Sequence, residues 1–178
     1  AASDVYKRQV KSSYFGIVDT AGIPKNDYYL YQSQWLDLDQ HPMVHILPHW
    51  NWEIHKSYQQ VVDKYGDIPV RVYSNAGSVE LFLNGKSQGR KTFQEKWTSD
   101  GRKYQEGQGY DQLYLEWRLA YQPGELHAVA YDYQGQIVAE DRVVTAGKPA
   151  KIGLHADKSQ LEPDGQDLLY LYFDVLDQ

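Results

Sequence analysis

The sequence predicts a mainly β fold: an immunoglobulin-like antiparallel β-sandwich, preceded by one loop-and-helix element and followed by the start of a second β-sandwich. Three observations predict it. From Met43 onward the apolar residues recur at period two, the spacing that puts them on one face of a strand. The alternating runs are short. They are separated by turn signals such as Asn84-Gly85 and Gln134-Gly135, and Asn-Gly is a strong two-residue hairpin signal because both turn positions need positive φ.

Residues 1–9 (AASDVYKRQ) show no period and resemble translated adapter sequence; they read as a non-native leader outside the fold. An apolar patch over residues 11–22 closes in a turn. Pro24 then stands where a helix accepts proline, in its first turn. Tyr28, Tyr31 and Trp35 follow at i, i+3, i+7, so residues 24–36 are predicted as one amphipathic helix that Pro42 prevents from extending. Val70 and Val72 alternate with Arg71 and Tyr73; Val79, Leu81 and Leu83 alternate with Glu80 and Phe82 and run into Asn84-Gly85. Residues 88–90 carry the return strand. Leu113, Leu115, Trp117 and Leu119 form another strand, Pro123-Gly124 a turn, and residues 126–144 a second hairpin about Gln134-Gly135. Residues 53–66 and 94–109 interrupt the rhythm and are expected as long polar connections, a class that is usually functional. Lys148-Pro149 marks a boundary. Ile152, Leu154 and Ala156, then Leu169, Leu171 and Phe173, begin a new sandwich, since about 30 residues cannot complete a domain of roughly 100. The expected organisation is therefore a leader (1–9), a loop-helix element (10–40), a sandwich (41–147) and the truncated start of another (148–178).

Composition narrows the function. The net charge of −6 and the lack of any basic run disfavour nucleic acid. No apolar stretch is long enough to span a membrane. Cys is absent, which removes disulfides and thiolate chemistry. Aromatic residues reach 14%, with 16 Tyr and 5 Trp. Such residues suit sugar-stacking platforms, and equally sandwich cores.

Individual motifs offer little catalysis. Gly85-Lys86-Ser87 imitates the end of a phosphate-binding loop, but Glu80 stands where the first Gly is required. His41, His45 and His49 are spaced by four; Pro42 and Pro48 forbid a helix, and strand spacing puts successive histidines about 13 Å apart, too far for one ion. Asp37 and Asp39 lack the Gly-containing acidic loop of a calcium site. Glu80 and Glu116 fall at outward strand positions. Thus no catalytic residue, metal ligand or cofactor is assigned. Trp50 and Trp52 flank Asn51 and project to one face, either as core or as a sugar-stacking platform.

Four blocks, in order, resemble glycoside hydrolase family 2, especially its bacterial β-galactosidases. SSYFGIVDTAGIPKNDYYLYQSQW is similar to the last loop and helix of the family's (β/α)8 barrel, and HILPHWNWE to the start of the next domain. IPVRVYSNAGSVELFLNGKSQGRK is similar to that domain's central hairpin, and PGELHAVAYDYQGQIVAEDRVVTAGKPAKIGLHADKSQL to its closing hairpin and the link onward. The resemblance implies a retaining hydrolase of terminal β-galactosides, placed in the periplasm or outside the cell, whose two catalytic Glu lie upstream, so that this chain alone is inactive. It implies that residues 10–40 end the barrel and that Tyr14 and Phe15 belong to the substrate rim. The alternatives are a family 2 hydrolase of β-glucuronides or β-mannosides, or a non-catalytic sugar-binding or structural sandwich module. Oligomeric state is left open.

Overall fold

A computed structural model describes residues 15–19, 22–54, 58–107 and 112–177. Residues 1–9 and Tyr14 lie outside them. The chain divides into two compact units, the first ending at Val144 and the second beginning at Thr145.

The first unit begins with a loop and helix α1 (Asn26–Trp35). Asp27 places a negative charge in the first turn, where the helix dipole favours it. Extended backbone at Leu36 ends the helix. The stripe Tyr28, Tyr31 and Trp35 was expected to be the apolar face but to pack only in part, or to lie near Trp50, with Trp35 open to solvent. The structure turns a different face inward. Tyr29 stacks on His45 with ring centroids 3.7 Å apart, and Ser33 is buried. Tyr31 and Trp35 are exposed. The small Ser33 allows the closer approach, and the bulkier indole is left outside.

The sandwich has two antiparallel sheets. One consists of β1 (Val44–Leu47), β2 (Ile68–Ser74) and β7 (Leu115–Leu119), in the order β1-β2-β7. The other consists of β3 (Ser78–Leu83), β4 (Lys86–Thr92), β8 (Glu125–Tyr131) and β9 (Ile137–Val144), in the order β4-β3-β8-β9. Three strands facing four, with the apolar alternation turned inward, match an immunoglobulin-like sandwich. Register explains the packing: Val70 lies opposite Trp117 and Val72 opposite Leu115, while Val79 lies opposite Ala130 and Leu81 opposite Ala128. The large pairs of one sheet thus meet large-small pairs of the other, and all of these residues are buried. Trp117 crosses the layers and donates its indole N–H to the Gly89 carbonyl at 3.2 Å.

Asn84 and Gly85 adopt φ of 51° and 76°, the left-handed turn expected of them. The two polar interruptions hold more structure than expected. Helix α2 (Tyr58–Tyr65) occupies the first. Its signal was present as Tyr58, Val61, Val62 and Tyr65 at i, i+3, i+4, i+7, in a segment whose polar residues masked the stripe. The second holds a hairpin, β5 (Gln94–Trp97) with β6 (Lys103–Glu106), paired Trp97 to Lys103 and Glu95 to Gln105.

In the second unit β10 (Lys151–Ala156) pairs antiparallel with β11 (Leu171–Leu176). Ile152, Leu154, Leu171, Phe173 and Val175 share one face by register and are all exposed.

Candidate functional site

The loop before α1 carries Phe15, one of the two rim candidates. Tyr14, the other, lies outside the described residues. Phe15 is exposed, and its carbonyl accepts a hydrogen bond from Lys25 Nζ at 3.1 Å. The loop folds back on itself: Val18 bridges Pro24, Lys25 N–H donates to the Ile17 carbonyl at 2.9 Å, and Ile23 N–H donates to Asp19 Oδ1 at 2.8 Å. A loop closed by three such contacts can hold an exposed aromatic ring in a fixed place.

Trp50 and Trp52 are not an exposed platform. They are 0% and 6% exposed and belong to the sandwich core. Trp50 donates its indole N–H to the Gln122 carbonyl at 2.8 Å and packs edge-on to Tyr121. Trp52 lies near His49 and Tyr58. An indole with no open face cannot stack on a sugar, so in this fold the pair is core and forms no sugar-stacking platform. The outward carboxylates are accounted for by ion pairs: Glu80 meets Arg90 at 3.6 Å, and Glu116 meets Arg71 at 3.1 Å and Arg118 at 3.2 Å. The three histidines have separate surroundings, His45 on β1 against Tyr29 and Asp141. Among the described residues no group of three or more His, Asp or Glu is placed to hold a metal. No helix there is long and apolar enough to cross a membrane.

One concave feature among the described residues of the first unit was not foreseen. A cleft of about 520 Å³ opens between the end of α1, the β5-β6 hairpin and the β8-β9 turn. That volume is within the range of small-ligand sites. Asn75 builds one wall. Its Nδ2 donates to the carbonyls of Leu36 and His41 at 3.2 and 2.9 Å, and its Oδ1 accepts from Met43 N–H at 2.9 Å, so one side chain ties the α1-β1 connection to the end of β2. Gln105 forms the floor. It is 6% exposed, and its Nε2 donates to the Asn75 and Ala76 carbonyls and to Tyr133 Oη at 2.9 Å. Its backbone N–H donates to Gln34 Oε1 at 3.1 Å. Glu95 pairs with Lys103 across the hairpin. The hydrogen bond from Lys103 and a second one from Tyr133 hold the Glu95 carboxyl below its ordinary range. The same contact with Glu95 raises Lys103, and burial pushes the Tyr133 phenol up. The cleft therefore holds Glu95 and Lys103 as a charged pair. It offers hydrogen bonds and aromatic faces. Sequence reading missed it because its members come from four separated segments, one of them, within 94–109, read as a long polar connection.

Comparison with known proteins places this fold. A domain of unknown function, DUF4982, matches residues 66–139. The β-galactosidase BoGH2A of Bacteroides ovatus is 41% identical over 97% of this chain and 17% of its own length. A glycosyl hydrolase family 2 member from Bacteroides cellulosilyticus, of known crystal structure, superposes with a TM-score of 0.68 at 30% identity, over 93% of this chain and 21% of that one. The chain belongs to glycoside hydrolase family 2. A putative β-glucuronidase of Formosa agariphila is 36% identical over 91% of the chain and 13% of its own length. This family 2 chain thus spans less than a quarter of each of these relatives, and galactosidase and glucuronidase names both occur among them.

Proposed function

We propose that this chain is the non-catalytic, C-terminal part of a retaining family 2 hydrolase that acts on terminal β-galactosides. In this reading residues 10–40 close the catalytic barrel, residues 41–147 form an accessory sandwich, and residues 148–178 open a further one. The observation that carries the substrate is the 41% identity to a β-galactosidase over 97% of the chain, against 36% to a putative β-glucuronidase over 91%. The non-catalytic role rests on the carboxylates. A retaining glycosidase needs a general acid whose pKa is raised and a second carboxylate about 5 Å away. The outward strand carboxylates are instead spent on ion pairs, Glu80 with Arg90 and Glu116 with Arg71 and Arg118. The acid that protonates the leaving oxygen and the nucleophile that attacks the anomeric carbon would then come from elsewhere in the longer protein. The contribution of this chain is to fix the loop carrying Phe15 through α1, which is seated on β1 by Tyr29 stacked on His45. The decisive assay uses the longest reading frame that contains this chain, beside the purified chain itself. Turnover of an aryl β-galactoside by the first and none by the second is expected. Turnover of only a β-glucuronide or β-mannoside by the longer protein, or any turnover by the chain alone, would overturn the proposal.

A further inference from the structure

We infer that the cleft between α1, the β5-β6 hairpin and the β8-β9 turn binds a neutral oligosaccharide non-covalently. This goes beyond the hydrolytic reading and does not depend on which glycoside the longer protein cleaves.

The walls combine the two kinds of group that a sugar requires. Trp35 lines the cleft and is 75% exposed, and Tyr133 lines it at 52%. Large aromatic faces left open to water in a concave site offer apolar area to the C–H face of a pyranose ring. Trp97 lies outside the lining; by register it is opposite Lys103 and on the same hairpin face as Glu95, and it is exposed. The lining also carries side-chain carboxylates and amides, which can engage adjacent hydroxyls in pairs.

The floor carries an independent sign of a missing partner. Gln105 is buried and spends its amide N–H groups on Asn75, Ala76 and Tyr133, yet its Oε1 accepts no hydrogen bond. A buried acceptor left unpaired is costly and calls for an explanation. Gln105 is itself one of the residues that line the cleft.

Charge decides the class of sugar. Asp37, Asp39, Glu95 and Asp132 line the cleft against one lysine, Lys103, which Glu95 already neutralises. A uronate or phosphate would meet net repulsion, and a neutral saccharide would not.

The walls are also set in advance, so little ordering is required on binding. The hairpin tip is closed by Thr98, whose N–H donates to the Arg102 carbonyl at 2.8 Å and whose Oγ1 accepts from Arg102 N–H at 3.0 Å. Asp132 Oδ1 accepts from Gln134 and Gln136 N–H at 2.9 and 2.7 Å, and so shapes the turn that presents Tyr133.

The test titrates the full 178-residue chain with cellotetraose and β-1,4-galactotetraose, with tetragalacturonate as the charged counterpart. The readout is the set of indole N–H resonances from its 5 Trp. At least one neutral tetrasaccharide should shift the Trp35 signal saturably and leave the buried Trp50 signal in place. Trp35→Ala and Tyr133→Ala should each weaken binding by about tenfold or more, a loss of one aromatic contact. Both positions are largely exposed, and an unmoved Trp50 resonance verifies that each variant is folded. The inference is overturned if neither neutral probe binds at about 10 mM, a concentration that detects even very weak affinity. It is equally overturned if tetragalacturonate binds as well as they do, or if binding survives both substitutions.

Discussion

Trp50 and Trp35 carry the same side chain into opposite environments, and nothing in their immediate neighbours distinguishes them. Trp50 follows Pro48-His49 and is sealed against Tyr121, with Gln122 receiving its N–H. Trp35 completes a helical stripe with Tyr28 and Tyr31 and stands open to solvent. Local periodicity reports which residues share a face; it does not report which face a distant segment will cover. His45 shows what the covered face costs. It is pressed between Tyr29 and Asp141, and its Nε2 is buried without a hydrogen-bond partner. Burial lowers its pKa, partly opposed by the Asp141 charge. The sign follows from linkage. Below the ordinary histidine value of about 6.5 the unfolded chain takes up a proton at this site that the folded chain resists, so the unfolded state binds more protons and stability falls as pH falls. The loss continues until the pH reaches the depressed folded value and then levels. Urea denaturation at pH values on either side of 6.5 should therefore show weaker folding on the acid side, and His45→Phe, which keeps a ring against Tyr29, should reduce that difference. An unchanged difference in the variant would show that the pH dependence arises elsewhere.

At the scale of elements, two turns far apart in sequence are built as one object. The β3-β4 turn presents Asn84, whose Nδ2 donates to the Pro123 carbonyl at 3.1 Å and whose Oδ1 accepts from Glu125 N–H at 2.8 Å. Gly124 lies directly beneath, with φ of 135°, and a Cβ there would stand 1.8 Å from Asn84 Oδ1. Gly124→Ala should thus expel the Asn84 side chain and strain the turn, destabilising the first unit by about 1–3 kcal/mol. In an Asn84→Ala background the same change should cost less, because the obstructing amide is gone; strict additivity in a double-mutant cycle would refute the coupling. Both turns were legible as turns, since Asn-Gly and Pro-Gly need particular backbone angles that few other residues accept. Their joining was not legible, because it depends on the sheet order β4-β3-β8-β9 that brings Asn84 beside Glu125. The same limit explains the cleft. The strands of the sandwich were readable from a period of two. Helix α2 and the β5-β6 hairpin were not, because polar residues on their outer faces hid a short apolar stripe in one and left the other with almost no apolar alternation. Gln105, the floor of the cleft, lay in the segment read as loop. Of the site residues named in advance, Phe15 sits on a braced loop, while Trp50 and Trp52 serve the core.

At the scale of the whole molecule the two units have unequal means of staying folded. The first closes a core from both sheets, with Trp50, Ile68, Leu81, Leu115 and Leu126 fully buried. The second is a two-stranded sheet. Isolated two-stranded hairpins are marginal in water, and each large apolar side chain left open forfeits roughly 1.5–3 kcal/mol of burial. Ile152, Leu154, Phe173 and Val175 are in that position, all on one face of β10 and β11, with no second sheet among the described residues of the unit to cover them. A contiguous apolar face of this kind favours association with another chain. Ending the chain after Gly147 should therefore leave the melting temperature of the first unit within about 2 °C of its value in the full chain, since a change of 1 kcal/mol shifts a domain of this size by several degrees. It should also abolish concentration-dependent association measured by sedimentation velocity. A melting temperature lowered by many degrees would mean that residues 148–178 stabilise the sandwich directly, and the boundary drawn at 147 would fall. Association that persists after truncation would move the sticky surface to the first unit, where Tyr31 and Trp35 on α1 are the exposed aromatic pair to substitute next.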